Sequence, residues 1–166
     1  FFYPIISLLT LIFDGTPILY SQLRVGLYGN EFKLYKFRTM SILSDDSVHQ
    51  NHYENLSENK KIEPSLTPDN PIRIENDDRI TKVGNILRKT SLDELPNIIN
   101  VLIGNMSFVG PRPLVKYESD LYGKYLEERN SVKPGITGLA QIQGRLDLSL
   151  QERLYWDLQY VKSKSF

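Results

Sequence analysis

Two neighbouring carboxylates, Asp93 and Glu94, lie within the run Arg88-Lys89-Thr90-Ser91-Leu92-Asp93-Glu94-Leu95-Pro96. At the start of a helix such carboxylates stay ionised, because amide donors and the helix dipole favour the anion. An ionised aspartate can attack phosphorus covalently. A neighbouring glutamate can hold Mg²⁺ through oxygen. The same spacing also suits plain helix capping, since Ser91-x-x-Glu94 and Thr90-x-x-Asp93 both have the form of a capping box. With Ser91 as cap, Pro96 lies beyond the first turn and its ring clashes backward; with Asp93 as cap it falls inside that turn. Both uses of the pair stay open on spacing alone.

Three further groups carry polar chemistry. In Gly104-Asn105-Met106-Ser107-Phe108-Val109-Gly110-Pro111-Arg112-Pro113, prolines on both sides of Arg112 fix the local backbone. A guanidinium on a stiff loop suits bidentate phosphate binding, and equally a rigid turn with a surface arginine. In Lys133 to Arg145, glycines allow close backbone approach, while Gln141 and Arg145 offer donors. That glycine spacing is neither a dinucleotide fingerprint nor a P-loop. Asp157 lies four residues after Arg153, the spacing of an exposed ion pair on a helix. Taken together, the cations, paired carboxylates and spare acid suit Mg²⁺-assisted phosphoryl chemistry.

The elements that must position these groups read as a small, helix-rich α+β domain. Ile18 to Val25 and Glu31 to Met40 are predicted strands of a hairpin, with Gly29-Asn30 between them. Alternation puts Phe32, Leu34, Lys36 and Arg38 on one face, so two cations should point the same way. Helices are predicted over 80–89, over 95–103 stopping at Gly104, over 114–128, and from Ser149, where Glu152 completes a capping box. The third presents Leu114, Tyr117, Leu121 and Tyr125 as a stripe; the fourth turns Leu150, Leu154, Leu158 and Val161 inward. Residues 41–79 are polar and aperiodic and read as a loop or lid, with His49 and His52 solvated in it.

The chain has 166 residues, enough for one domain with a real core. Lys plus Arg and Asp plus Glu each number 20, so the net charge is zero and nucleic acid is not a called-for partner. With no cysteine, disulfides and thiolate metal sites are excluded. Phe1 to Phe13 is an apolar run shorter than the roughly 20 residues that cross a bilayer. By itself it reads as a core helix or strand, or as one limb of a bent membrane segment. Both ends of the sequence read as cut from a longer protein.

The motifs Leu34-Tyr35-Lys36-Phe37-Arg38-Thr39-Met40, Thr90 to Pro96, Met106 to Pro113 and Lys133 to Gly138, in that order, resemble the bacterial sugar transferase family, the monotopic phosphoglycosyl transferases. The resemblance covers nearly the whole chain. It implies transfer of a sugar-1-phosphate from a UDP-sugar to polyprenyl (undecaprenyl) phosphate, the first membrane step of a polysaccharide or glycan pathway. Asp93 would be the nucleophile, forming an aspartyl-phosphosugar intermediate and releasing UMP. Glu94 would be its dyad partner and a Mg²⁺ ligand. Lys36, Arg88 and Arg112 match positions for phosphate handling or site integrity, Asp157 a further acidic position, and Gln141 and Arg145 a nucleotide-sugar or phosphate contact.

The resemblance further implies that residues 1–13 are the remnant of a re-entrant membrane helix. Residues 14–166 would then form the catalytic domain at the cytoplasmic face of a bacterial inner membrane. The oligomeric state, a homodimer included, is open. Two rival readings stand: direct attack by the lipid phosphate with Asp93 only a metal ligand, and a non-catalytic nucleotide-sugar sensor or scaffold. The sugar itself is not legible.

Overall fold

The computed structural model describes residues 2–42, 47–57, 62–67, 69–72, 74 and 77–163. It is an α+β arrangement of short helices around two small sheets. Helix α1 (Phe2–Asp14) leads into the antiparallel hairpin β1 (Leu19–Val25) and β2 (Glu31–Phe37), with Leu19 opposite Phe37 and Val25 opposite Glu31. The turn between the strands uses positive φ at Tyr28 and Gly29. Branched and aromatic residues alternate along β2, so Phe32 and Leu34 meet Met106 on one face while Phe37 packs with Ile6 and Leu87 on the other.

β2 ends at Phe37, one residue before Arg38. The two cations expected on one face therefore part. Lys36 keeps the strand's direction, whereas Arg38 turns to donate to the backbone carbonyls of Asp14 and Gly15 at the end of α1. A cation is favourable where a helix leaves carbonyls unpaired.

Residues 41–79 are not a structureless loop. Helix α2 (Ser47–Ser57) forms within them, and its histidines are not solvated. His49 Nδ1 meets the Tyr117 hydroxyl at 2.5 Å, and His52 Nε2 meets the Ile72 carbonyl at 3.0 Å. Tyr53 is buried against Ile72, Leu114 and Leu154. Tertiary contacts thus hold a helix whose own sequence gives little apolar periodicity. Residues 62–67, 69–72, 74 and 77–79 form no helix or strand, as expected of a loop, and 43–46, 58–61, 68, 73 and 75–76 lie outside the described residues.

α3 (Lys82–Thr90) starts at Thr81, whose hydroxyl accepts from the Gly84 amide, and stops at Ser91 with left-handed backbone. A 3₁₀ turn (Leu92–Glu94) and α4 (Asn97–Leu102) follow; Gly104 beyond them has φ +89°, the conformation expected at such a stop. The helix expected over 114–128 is broken. Leu114 pairs with Val25, α5 spans only Lys116–Asp120, and a 3₁₀ turn at Gly123–Tyr125 precedes α6 (Leu126–Arg129). Gly123 has positive φ, which ends the regular helix.

β3 (Ser107–Val109) and β4 (Gly135–Thr137) form a two-stranded parallel sheet that the sequence did not suggest. α7 (Leu139–Gln143) and α8 (Leu150–Ser163) complete the chain. The capping box at α8 is present: the Ser149 amide donates to Glu152 Oε2 at 2.8 Å, and the Glu152 amide to Ser149 Oγ at 3.2 Å. Leu150, Leu154 and Leu158 are buried, each burial contributing roughly 1.5–3 kcal/mol over exposure. The exposed ion pair read between Arg153 and Asp157 is absent, because both side chains point inward to other partners.

Candidate active site

Three elements bring one charge cluster together. Lys36 comes from β2, Glu94 from the 3₁₀ turn, and Arg112 from the loop after β3. Lys36 Nζ lies 3.1 Å and Arg112 Nη1 2.9 Å from the same oxygen, Glu94 Oε1. Burial alone would raise the Glu94 carboxyl, but Arg112 and Lys36 outweigh it and take it down to about 2. Burial, with Arg112 nearby, brings Lys36 down to about 8. Glu94 is therefore an anion throughout the neutral range, and Lys36 is a cation near the limit of its charge.

Asp93 is buried, and no hydrogen bond or ion pair among the described residues engages its carboxylate. Burial pushes its pKa up, and Glu94 adds to that; Lys36, Arg112 and Arg88 pull the other way. Here the structure corrects the expectation that helix-end amides keep this carboxylate ionised. The 3₁₀ turn at 92–94 has no side-chain cap, and neither has α4, where Pro96 occupies the cap position. Thr90 Oγ1 donates back to the Ile86 carbonyl instead. Neither capping box exists, so what offsets the burial of Asp93 is the ring of cations.

The cleft behind Lys36, Glu94 and Arg112 is hardly larger than a water molecule. Its wall includes Asn97, whose Oδ1 is buried without a hydrogen-bond partner. On the outer side, Arg112 keeps 32% of its side chain exposed, enough for a ligand to reach the guanidinium. The loop carrying it is fixed by glycines. A Cβ at Gly135 would fall 2.1 Å from the Gly110 amide nitrogen, and one at Gly138 2.2 Å from the Gly110 carbonyl oxygen. Only bare backbone permits that approach. Among the described residues no three carboxylates, histidines or cysteines converge as a metal centre. Asp93 and Glu94 are adjacent carboxylates that could share a hard cation with non-protein oxygens.

A family model described as bacterial sugar transferase matches residues 1–166. The chain belongs to the bacterial sugar transferase family. It is 43% identical over 150 residues to an undecaprenyl-phosphate galactose phosphotransferase of Salmonella typhimurium, covering 90% of this chain and 30% of that protein. It is 41% identical over 162 residues to the exopolysaccharide production protein ExoY of Rhizobium meliloti, covering 92% and 65%. Against a UDP-glucose:undecaprenyl-phosphate glucose-1-phosphate transferase of Escherichia coli the identity is 40% over 157 residues, covering 90% and 29%. The chain thus spans about a third to two thirds of the length of these relatives.

Within this sugar transferase chain the residues singled out from sequence separate into groups. Lys36, Glu94 and Arg112 are in direct contact, with Asp93 beside them. Arg88 donates to Thr39 Oγ1 at 2.9 Å while its charge still acts on Asp93. Gln141 and Arg145 make no hydrogen bond to the cluster among the described residues; both amide atoms of Gln141 are buried without partners. Asp157 does not face the cluster at all. It is buried on Arg129, whose Nε and Nη2 each lie 2.8 Å from Asp157 Oδ2. Sequence reasoning missed Asn97 and Arg129. The signal for Asn97 was its place one turn after Glu94; Arg129, at the end of Leu126-Glu127-Glu128-Arg129, looks like surface.

Proposed function

We propose that the complete protein transfers a sugar-1-phosphate from a UDP-sugar to undecaprenyl (polyprenyl) phosphate, at the cytoplasmic face of a bacterial inner membrane. The observation that carries this is the convergence of Lys36 and Arg112 on Glu94 beside the carboxylate of Asp93, which no described residue engages by a hydrogen bond or ion pair. Naming of the relatives as transferases onto undecaprenyl phosphate supports the acceptor class.

In the first half-reaction an Asp93 oxygen attacks the phosphorus bearing the sugar. The bond between that phosphorus and the bridging oxygen breaks, its electron pair leaves with UMP, and an aspartyl-phosphosugar remains. In the second, an oxygen of the lipid phosphate attacks the same phosphorus and the Asp93 carboxylate is released. Arg112, part exposed, and Lys36 supply positive charge toward the diphosphate, so that one anion can approach another. Glu94 holds those two cations in register. The residues fit Mg²⁺: Glu94 is firmly ionised, Asp93 adjoins it, and magnesium is commonly held by one or two carboxylates with substrate phosphates and water. Bound there, the ion would neutralise charge on the diphosphate.

α1 supports membrane attachment. Ile5, Leu8, Leu9, Ile12 and Phe13 are exposed, and the first charge of the helix is Asp14. No described helix is long and apolar enough to cross a membrane. α1 is read here as the outgoing limb of a re-entrant helix. The test uses the complete gene product in lipid vesicles with UDP-sugar and no acceptor. Wild type releases UMP once per enzyme and carries a phosphosugar detectable by mass spectrometry. Asp93→Asn does neither; UMP release by that variant at the normal rate would remove Asp93 as nucleophile.

A further inference from the structure

We infer that Arg129 is a positioning residue for Arg112, and that Asp157 acts on the site only through Arg129. The inference rests on the reading of Arg112 and Glu94 as part of the reacting site. Arg129 is 2% exposed in its side chain and Asp157 1%. Nε of Arg129 donates to Asp157 Oδ2 at 2.8 Å, Nη1 to Asn130 Oδ1 at 3.3 Å, and Nη2, in ion-pair contact with Asp157 Oδ2 at 2.8 Å, donates to the backbone carbonyl of Arg112 at 2.7 Å. The Tyr122 ring lies 5.7 Å from the guanidinium carbon. Each of its three nitrogens has a partner, which restrains the plane of the group.

What it holds matters more than the holding. The peptide between two prolines has few ways to move, and three successive carbonyls are each pinned by a donor from elsewhere. Pro111 O accepts from the Gly135 amide at 2.9 Å, Arg112 O from Arg129, and Pro113 O from Arg24 Nη1 at 3.3 Å. The plane of the Arg112 carbonyl sets where its side chain starts, and hence whether Nη1 reaches Glu94. A fully buried ion pair is a poor device for stability alone, since apolar replacements often serve as well. Here one of its donors is spent on the backbone of a residue in the charge cluster. Lysine could not replace it, because a single ammonium lacks the fork that spans a carboxylate and a carbonyl.

The test is a double-mutant cycle in the complete protein in lipid vesicles, reading UMP release and melting temperature for Arg129→Lys, Arg112→Lys and the pair. Arg129→Lys should lower kcat/KM about ten- to a hundredfold, the scale of a misplacement of the order of an ångström. Combined with Arg112→Lys, the loss should fall well short of the product of the two single losses, because both act through one side chain. Multiplied losses, or a wild-type rate in Arg129→Lys, would overturn the inference. Should Arg129→Lys fail to fold, Asp157→Asn is measured in its place, with the same requirement. A wild-type rate in Arg112→Lys would instead overturn the reading of the site, and the positioning role with it.

Discussion

Lys36 Nζ stands 3.1 Å from Glu94 Oε1, across 58 residues of chain, and it shares that oxygen with Arg112. One carboxylate oxygen thus fixes two cations, one from strand β2 and one from the loop after β3. The pair is also sensitive to pH. Burial and the charge of Arg112 hold Lys36 near 8, well below a free lysine, although Glu94 and Asp93 favour its charge. UMP release should therefore fall on the alkaline side with a midpoint near pH 8, and Lys36→Arg should shift that limb beyond pH 10. Stability should move the other way. Between pH 8 and 10.5 the unfolded chain binds a proton on Lys36 that the folded chain does not, so this group adds stability as pH rises. Denaturant titrations over the same range separate the two effects; parallel decline of activity and stability would contradict the assignment.

The acid limb belongs to Asp93. Burial raises its pKa, Glu94 adds to the rise, and Lys36, Arg112 and Arg88 restrain it. As nucleophile it works ionised, so the limb should lie above the ordinary aspartate value of about 3.9. Arg88→Met removes one restraining cation and should move the limb further up in pH. A limb that moves down, or not at all, would detach Arg88 from Asp93.

Glu94→Gln keeps the shape but leaves Lys36 and Arg112 facing each other without an anion. Hydrogen bonds to charged groups contribute about 1.5–3 kcal/mol, and the loss should be of that size in chemical denaturation. UMP release should fall at least tenfold, since the cations lose their common anchor.

Tyr53→Phe removes the hydroxyl that accepts from Arg153 Nη2 at 3.0 Å. A buried guanidinium loses a partner, costing roughly 1.5–3 kcal/mol. Hydrogen exchange should quicken in α2, which Tyr53 anchors, with little change in the affinity for UDP-sugar. Equal protection of α2 in both proteins would show that other contacts dock it.

Much of this was legible beforehand where local chemistry decides. The hairpin follows from alternation and the Gly29-Asn30 break, and the start of α8 from Ser149 and Glu152. Local patterns failed where tertiary contacts overrule them. The stripe Leu114, Tyr117, Leu121 and Tyr125 is packed as expected, yet it is spread over a β-bridge, a helix and a 3₁₀ turn. α2 has a polar sequence and stands on Tyr53 and His49. In the site, the charged residue types were visible, but which cation meets which carboxylate depends on loops far apart in sequence. Asp157 looked paired with Arg153 at helical spacing; its partner, Arg129, lies 28 residues upstream.

Gly110, Gly135 and Gly138 press two backbone segments together with no room for a single extra carbon. That seam welds the stretch bearing Arg112 to the one leading into Gln141 and Arg145, so neither can drift without carrying its neighbour. Gly135→Ala should accordingly cripple both at once, lowering the melting temperature and UMP release together. Side chains can be exchanged only around that weld, where Ile142 and Leu146 stand exposed, because the weld itself has no room for one.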